Sequence, residues 1–351
     1  MAVVQPGVIT AQVNAHLKPL GLFYPVDPAS QARCTIGGNV ATAAHGLRGT
    51  KYGVNDNYLL GLEAVIAPGE IIRCGAKTLK CATGYRLTGL LAGSGGRIGI
   101  ITEIILRLLP RPRAEVSIMA IFDAVSQAQQ AKRVLGKKHI WPSRLELMDA
   151  WSARKSGPEA FHVNLSPGQL LLLVELDGSA SVVKKDVQIT LQILAQANGK
   201  RARAAKDQRE AEEWWRARGA LLSTLIEEED VAILSTVILP GSRTTQFFEK
   251  VAGAASEKSV LHTIYGHLGE ERWHPMFLIR KGATTEQRAL LQLAEAVHKI
   301  AASLGGRSLR PYAIGFDTAA SPTPPRDPGQ KELWAALKAR FDPQGIFRAL
   351  G

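Results

Sequence analysis

The sequence is short of cysteine and of long apolar runs, and both shortages restrict the kind of protein that it encodes. Only three of the 351 residues are cysteines, Cys34, Cys74 and Cys81, and none of them forms a CxxC pair. An odd number of separated thiols is typical of reduced cysteines rather than of a disulfide framework or a zinc site. The longest apolar stretches, such as 169–176 and 233–240, have the length of a strand and not of a membrane-spanning helix.

A secretion signal and an excess of acidic residues are also lacking. The N-terminus has no basic stretch followed by an apolar run, and we therefore predict a cytoplasmic protein. Lysine and arginine outnumber aspartate and glutamate by 43 to 31, which gives a net charge of +12. The basic residues form no dense stripe, so we expect no nucleic-acid partner. The excess suits anionic substrates, cofactor phosphates or at most peripheral contact with an anionic membrane, or it serves solubility alone.

Pro110-Arg111-Pro112 divides the chain into two parts with different patterns. The first part has glycine-rich loops and a hairpin pattern around Pro68-Gly69. In the second part, strands and helices alternate with short connections, which favours an antiparallel sheet with helices on one face. The predicted fold class is therefore α+β, with domains at 1–112 and 113–351.

Two adjacent glycines, Gly37 and Gly38, mark the most informative loop of the first part. They allow positive φ and let another group approach the backbone closely. Free N–H groups in such a loop suit a phosphate or the edge of an electron-rich ring. Taken alone, the glycines are a weak signal, and a loop that needs glycine only for a turn is the alternative.

Further motifs surround this loop in a fixed order along the first part. They are Val3-Val4-Gln5-Pro6-Gly7, Leu22-Phe23-Tyr24-Pro25-Val26-Asp27-Pro28, Thr35-Ile36-Gly37-Gly38-Asn39, Lys51-Tyr52-Gly53-Val54, Leu60-Gly61-Leu62-Glu63-Ala64-Val65 and Gly99-Ile100-Ile101-Thr102-Glu103. Over about residues 2–112 this ordered set resembles the FAD-binding domain of the vanillyl-alcohol oxidase superfamily. The similarity is greatest to FAD-linked oxidases of the glycolate oxidase large subunit and D-lactate dehydrogenase type. It implies the C-terminal part of a PCMH-type FAD-binding domain, with FAD as the cofactor.

The resemblance also implies where the flavin lies, along the loops at 27–44 and 52–53. Carried over position by position, the flavin contacts would be Pro25, Asp27, Ser30, Thr35, Gly37, Gly38, Asn39, Ala41 and Ile100.

The first part departs from the family pattern at three places. Family members carry a pyrophosphate-binding glycine loop upstream of the strand at 3–7, so the domain here is expected to be N-terminally incomplete. His45 replaces a glycine of the family, and Ser94-Gly95-Gly96-Arg97 replaces a Ser-Glu-Gly-Thr stretch. A lobe supplied by another chain, a truncated gene and compromised flavin binding are all consistent with these departures. We expect the isolated chain to bind FAD weakly or not at all.

The second part resembles the cap domain of the same family from about Glu115 to Phe347. In metal-dependent members, two histidines and a glutamate bind a divalent metal that polarises the substrate hydroxyl. Another histidine takes the hydroxyl proton as hydride leaves for the flavin. His267 and His274 match the first of these stretches, but Pro311 and Tyr312 stand at the glutamate and histidine positions of the second. The resemblance therefore implies no metal site with the usual ligands.

The spacing of the two histidines sets a geometric condition. They are seven residues apart, so a straight strand would point them to opposite faces. They converge only if the chain turns between them, yet Glu270-Glu271-Arg272 has no glycine to take positive φ. Glu270 or Glu271 could offer an oxygen ligand, or packing alone could account for both histidines.

One arginine completes the set of candidates. Trp215-x-x-Arg218 resembles a family helix whose arginine faces the substrate carboxylate, and a guanidinium is a suitable bidentate partner for that group. An exposed helix arginine is the alternative.

Together these resemblances imply an FAD-dependent oxidoreductase that oxidises a small anionic 2-hydroxy acid, such as glycolate or D-lactate, by hydride transfer to flavin. Arg218 would hold the carboxylate, with His267 and His274 as the other catalytic candidates. A partner subunit could supply the flavin lobe or transfer electrons. The alternatives are a non-catalytic or structural subunit of a glycolate-oxidase-like complex and a truncated, decaying family member.

Overall fold

The computed structural model describes residues 1–80, 84–227, 231–279, 287–309, 311–314 and 327–347. Its strands, in chain order, are β1 (Ala2–Val4), β2 (Leu22–Phe23), β3 (Leu59–Ile66), β4 (Glu70–Gly75), β5 (Ile100–Leu106), β6 (Leu109–Pro110), β7 (Ala114–Phe122), β8 (Arg144–Asp149), β9 (Leu170–Gly178), β10 (Lys200–Ala204), β11 (Val231–Leu234), β12 (Val237–Ile238), β13 (Leu261–His267), β14 (Arg272–Ile279), β15 (Arg307–Ser308) and β16 (Tyr312–Ile314).

The helices, in chain order, are α1 (Thr10–Leu17), α2 (Ile36–Ala41), α3 (Gly49–Tyr52), α4 (Thr88–Leu91), α5 (Val125–Lys137), α6 (Ala150–Lys155), α7 (Pro158–Phe161), α8 (Ala180–Gln196), α9 (Gln208–Glu227), α10 (Thr244–Glu257), α11 (Gln287–Ser303) and α12 (Pro328–Phe341). Within the described ranges, no helix has both the length and the apolar character needed to cross a bilayer.

The chain divides into two compact units, 1–111 with 325–351 and 112–324. The break after Arg111 falls within the Pro-Arg-Pro segment that separates the two sequence patterns. The C-terminal segment, which the division by sequence assigns to the second domain, clusters with the first unit.

The first unit is built on an antiparallel sheet in the order β1-β5-β3-β4. The hairpin pattern around Pro68-Gly69 forms β3 and β4, which pair from Gly61 with Gly75 to Ile66 with Glu70. The glycine-rich sequence around 36–41 predicts a loop, but the structure has the helix α2 there. Its side chains Ile36 and Val40, four residues apart, are both fully buried, so packing offsets the low helix propensity of its two glycines.

The C-terminal segment of the first unit folds around one acidic side chain. Asp342 is 3% exposed and follows α12. Its carboxylate accepts hydrogen bonds from the backbone N–H groups of Ile346 and Phe347 at 2.8 and 2.9 Å, and it pairs with Lys338. The Lys338 ammonium also donates to the Arg97 carbonyl at 2.7 Å. This segment is therefore attached to the 93–97 loop of the same unit.

The second unit contains a larger antiparallel sheet in the order β10-β7-β9-β8-β13-β14-β11-β16, and β12 also pairs with β14. The predicted antiparallel α+β class is thus confirmed, whereas the prediction of helices on one face is wrong, because helices pack on both faces of this sheet. Leu145 and Leu147 of β8 point into a core shared with α5, α8, α10 and α11. Because strand side chains alternate, Glu146 points to the opposite face, where α6, α7 and α9 pack. That second face carries the polar cluster described next.

Candidate active site

The hairpin of β13 and β14 brings the two histidines together. Tyr265 pairs directly with His274 in the antiparallel register, and His267 lies two residues beyond Tyr265. All three side chains therefore project from the same face of the sheet. The rings of His267 and His274 lie edge to face, with centroids 5.4 Å apart. The turn that the spacing requires is present.

Glu271, and not a glycine, takes the positive φ in this turn, with a φ of 54°. Its carboxylate accepts hydrogen bonds from the Gln129 amide and the Thr244 hydroxyl, both at 2.9 Å, and it pairs with Lys132. The carboxylate is thus bound by α5 and α10 on the far face of the sheet, away from the histidines. The interpretation of Glu271 as an oxygen ligand beside them is therefore wrong. Within the described part of the chain, no three His, Cys, Asp or Glu residues are grouped so as to hold a metal ion.

Glu146 joins the hairpin to α9. It is completely buried, and its Oε1 lies 2.6 Å from the Nδ1 atom of His267. Its Oε2 accepts a hydrogen bond from Nη2 of Arg218 at 2.5 Å. The Arg218 guanidinium in turn lies 4.9 Å from the centre of the Tyr265 ring. The structure thus brings Arg218, His267 and His274 into one cluster together with Glu146 and Tyr265.

Arg218 is 5% exposed, which differs from the alternative of an exposed helix arginine. Its Nε atom is buried and has no hydrogen-bond partner among the described residues. A buried donor without an acceptor is costly. The cluster therefore has an unused donor of the kind that a ligand carboxylate accepts.

His274 is held in its neutral form. Burial is the main cause that lowers the pKa of His274 well below 6.5, and the nearby His267, Arg218 and Arg272 lower it further. The Nδ1 atom of His274 lies 3.1 Å from the hydroxyl oxygen of Thr236. An uncharged imidazole can accept or donate a hydrogen bond within the cluster without adding to the positive charge of Arg218.

Tyr265 stays protonated for a similar reason. Burial raises the pKa of its phenol, Arg218 opposes this shift and Glu146 adds to it. The cluster therefore contains the Arg218 cation, the Glu146 carboxylate and the neutral Tyr265 and His274 side chains on a largely buried face of the sheet.

The glycine loop of the first unit uses its backbone donors internally. The N–H of Gly37 donates to the Pro6 carbonyl at 2.8 Å, and a Cβ at Gly37 would collide with Pro6. The N–H of Gly38 donates to the Thr35 hydroxyl at 3.0 Å, and the N–H of Asn39 donates to the Thr35 carbonyl. The free N–H groups expected at 37–39 are therefore not free, because the loop folds into the first turn of α2.

Two of the predicted flavin contacts also have intramolecular roles. The Asn39 amide donates to the Thr10 hydroxyl at 2.7 Å. Asp27 accepts a hydrogen bond from the backbone N–H of Arg48 at 3.0 Å, and Gly46 leaves the space for this approach. Gly46, which follows His45, is thus required because any side chain at this position would collide with Asp27.

The remaining predicted contacts differ in exposure. Pro25 is buried, Ala41 is half-buried, Ser30 is exposed and Ile100 is 60% exposed. These positions share one unit, but only Ser30 and Ile100 present a largely open side chain.

The 93–97 loop offers a donor that fits FAD. Gly95 and Gly96 both have positive φ, and the Gly95 N–H closes the C-terminus of α2 by donating to the Ala41 carbonyl. In the same loop, the Nε atom of Arg97 is buried and has no partner among the described residues. FAD presents phosphate and ring carbonyl oxygens that a guanidinium donor binds well.

Sequence comparison relates the chain to known families. Residues 111–349 match the family described as FAD linked oxidases, C-terminal domain, and residues 1–75 match an FAD binding domain. The chain is 32% identical to glycolate oxidase subunit GlcD of Bacillus subtilis, over 98% of this chain and 73% of that protein. It is 29% identical to D-lactate dehydrogenase of Archaeoglobus fulgidus, over 99% of this chain and 75% of that protein.

Structural comparison gives the same fold. A solved structure of alkyldihydroxyacetonephosphate synthase superposes with a TM-score of 0.72 at 16% identity. The match covers 99% of this chain, and the chain spans 63% of the length of that structure.

Proposed function

The chain belongs to the FAD linked oxidase family, and on this premise we propose that it is an FAD-dependent oxidoreductase acting on a 2-hydroxy acid. Glycolate and D-lactate are the substrate class, as the names of its relatives suggest. FAD, when bound, accepts the hydride that leaves the substrate Cα. The observation that carries the proposal is the convergence of Arg218, His267 and His274 on one face of the second unit's sheet.

In this proposal Arg218 binds the substrate carboxylate. Its buried and unpartnered Nε supports that role, because a carboxylate would satisfy the donor and add a charge-assisted hydrogen bond. His267 takes the hydroxyl proton, which its contact with the Glu146 carboxylate favours. The neutral imidazole of His274, which contacts Thr236, provides a further polar group next to His267.

The first unit holds the flavin in this proposal, with Arg97 as an additional donor to the cofactor's oxygens. The contacts carried over from the family remain proposals, namely Pro25, Asp27, Ser30, Thr35, Gly37, Gly38, Asn39, Ala41 and Ile100. Because Asn39 and Asp27 already bind protein groups, their part would be to shape the loops rather than to donate to the flavin.

Two further proposals concern the cellular location of the protein and its partner chains. The free thiols of Cys34 and Cys74 support a reducing, cytoplasmic location, and Cys81 lies outside the described residues. The Bacillus relative is named as a subunit, which supports a partner chain that donates part of the flavin site or accepts electrons.

The test is anaerobic reduction of the flavin in the purified protein supplied with excess FAD. The excess FAD offsets the weak binding that the sequence predicts for the isolated chain, and we expect glycolate or D-lactate to bleach the visible flavin band and 3-hydroxybutyrate to leave it unchanged. A chain that takes up no FAD, or whose flavin no 2-hydroxy acid reduces, would favour the non-catalytic subunit instead. Repeating the assay with a candidate partner chain would show whether flavin reduction requires a second chain.

A further inference from the structure

Glu146 is a buried carboxylate with two different partners. One oxygen lies 2.6 Å from Nδ1 of His267, and the other accepts from Nη2 of Arg218 at 2.5 Å. The residue is completely buried, and it reaches these partners from β8, which pairs with β13 so that Glu146 stands opposite His267. Neither the resemblance to the family nor the comparisons assign it a role.

The chemistry of Glu146, His267 and Arg218 determines which group donates each hydrogen bond. A carboxylate offers two acceptor oxygens, and a guanidinium is only a donor. If His267 donates to Glu146, its ring proton sits on Nδ1 and its Nε2 atom carries the free lone pair. Glu146 engages only one of the five N–H donors of Arg218, on Nη2, so other donors remain for a ligand, and among them the Nε–H has no partner within the described residues.

We propose that Glu146 is a positioning residue that sets the tautomer of His267 and the orientation of Arg218 at the same time. Its charge balances the buried guanidinium before substrate arrives, and its second oxygen keeps Nε2 of His267 able to accept a proton. The proposal rests on the proposed function, since the substrate of that function supplies both the carboxylate and the hydroxyl proton.

The discriminating variant is Glu146→Gln. Glutamine has one acceptor oxygen, and Arg218 cannot accept a hydrogen bond, so the oxygen must serve Arg218. The amide NH₂ then faces His267, which makes Nδ1 an acceptor and moves the ring proton to Nε2. At the same time the guanidinium loses its counter-charge, so it attracts a substrate carboxylate at least as strongly as before.

The first measurement is ¹⁵N NMR of histidine-labelled holoenzyme, with His267 assigned from a His267→Gln sample. We expect the Nδ1–H tautomer in the wild type and the Nε2–H tautomer in Glu146→Gln. The second is steady-state kinetics, where kcat should fall at least about tenfold while KM for the 2-hydroxy acid stays the same or decreases. A residue that only supported the fold would not separate kcat from KM in this direction.

Glu175→Gln is the matched control. Glu175 is 3% exposed, lies on the neighbouring strand β9 and pairs with Arg144 at 3.0 Å. Its replacement removes a buried carboxylate of the same kind outside the cluster. We expect it to leave the His267 tautomer and the ratio of kcat to KM unchanged.

An Nε2–H tautomer of His267 in the wild type would overturn the proposal, and this measurement requires no Glu146 variant. Should Glu146→Gln fail to fold, Glu146→Asp keeps both acceptor oxygens and should retain the Nδ1–H tautomer. A Glu146→Gln enzyme with wild-type kcat would also overturn it. A wild-type flavin that no 2-hydroxy acid reduces would instead refute the proposed function, while the NMR result would still decide the role of Glu146.

Discussion

At the scale of single residues, the candidate site depends on the contacts of one buried cation, Arg218. Arg218 donates to Glu146, stacks over Tyr265 and keeps a buried Nε–H without an acceptor among the described residues. A ligand carboxylate would remove that deficit. The donor that the protein leaves unsatisfied thus supports the binding of a ligand that offers an acceptor oxygen.

We predict that Arg218→Lys and Arg218→Ala both lose most of the catalytic efficiency toward the 2-hydroxy acid. Lysine keeps the charge but not the planar fork, so the loss should be about 2–3 kcal/mol in transition-state stabilisation. Arg216→Ala is the control, because Arg216 is exposed on the same helix. Steady-state kcat/KM of the three variants provides the measurement, and equal, near-wild-type values in all of them would contradict the assignment.

His274 should make the protein sensitive to acid. Its pKa in the folded chain lies below the value of about 6.5 in the unfolded chain, mainly because of burial. Protonation therefore favours unfolding, and the stability is fully present above pH 6.5 and is lost as the pH falls toward the folded pKa. Denaturant unfolding between pH 7.5 and 5 should show a loss of at most about 1.4 kcal/mol per pH unit from this group.

His274→Gln should flatten this pH dependence, because glutamine does not titrate and still reaches Thr236. His16→Gln, at an exposed position on α1, should leave the slope as in the wild type. Identical slopes for wild type and His274→Gln would show that another group governs acid stability.

The residues of the cluster differ in how far the sequence predicts them. Arg218, His267 and His274 stand in local motifs, so their type and spacing make them candidates without any structure. Glu146 was missed because its partners lie 72 and 121 positions away along the chain. The signal for it was the strand itself, where a charged side chain alternates with the buried leucines Leu145 and Leu147.

At the scale of elements, the hairpin of β13 and β14 positions both histidines, and its turn depends on tertiary contacts. The sequence offered no glycine at 270–272, so local turn rules gave no positive-φ position. Glu271 takes that conformation because Gln129, Lys132 and Thr244 bind its carboxylate. The helix α2 was missed for the same kind of reason, since burial of Ile36 and Val40 outweighs the propensity of two glycines.

Glu271→Gly should destabilise the protein even though glycine prefers positive φ. Removing the strain of a positive φ at a non-glycine residue should stabilise the fold by about 1 kcal/mol. Losing the carboxylate deprives the donors on Gln129, Lys132 and Thr244 of their acceptor, at a cost of about 1–3 kcal/mol. The free energy of unfolding in urea should therefore decrease, and activity should decrease with it.

Ser259→Gly is the matched control for Glu271→Gly. Ser259 has a φ of 53° and is exposed. Its replacement should be neutral or stabilising, because the backbone relaxes and no buried partner is abandoned. A stabilising effect of both substitutions would mean that the contacts of Glu271 do not hold the turn.

At the scale of the whole molecule, the predicted family and its FAD cofactor are confirmed by comparison, and the antiparallel sheet is as expected. The clustering of the C-terminal segment with the first unit was not predicted. The sequence pattern predicts a helix over 330–340, close to the observed α12 at Pro328–Phe341, but it does not identify the segment against which that helix packs. The contact of Lys338 with the Arg97 carbonyl joins residues 241 positions apart, a relation that no local pattern records.

Asp342→Ala should loosen this C-terminal segment. The substitution removes the acceptor of the Ile346 and Phe347 amides and the partner of Lys338. Hydrogen exchange should accelerate at 345–347 and in the last turn of α12, with little change in the second unit. The control is Asp327→Ala, which removes the exposed N-terminal cap of the same helix. In this variant faster exchange should be confined to the first turn of α12. The same exchange profile in both variants would contradict the prediction.

The C-terminal segment also bears on the order in which the chain acquires structure during translation. The first unit requires residues from both sides of the second, so a ribosome that has released residue 324 has exposed all of the second unit. Domains usually fold as they emerge, the N-terminal one first. Here the earlier segment must wait for Lys338 and Asp342 before its last contacts can form. A released chain that is truncated before residue 338 should therefore hold a protease-resistant second unit and an incomplete first one.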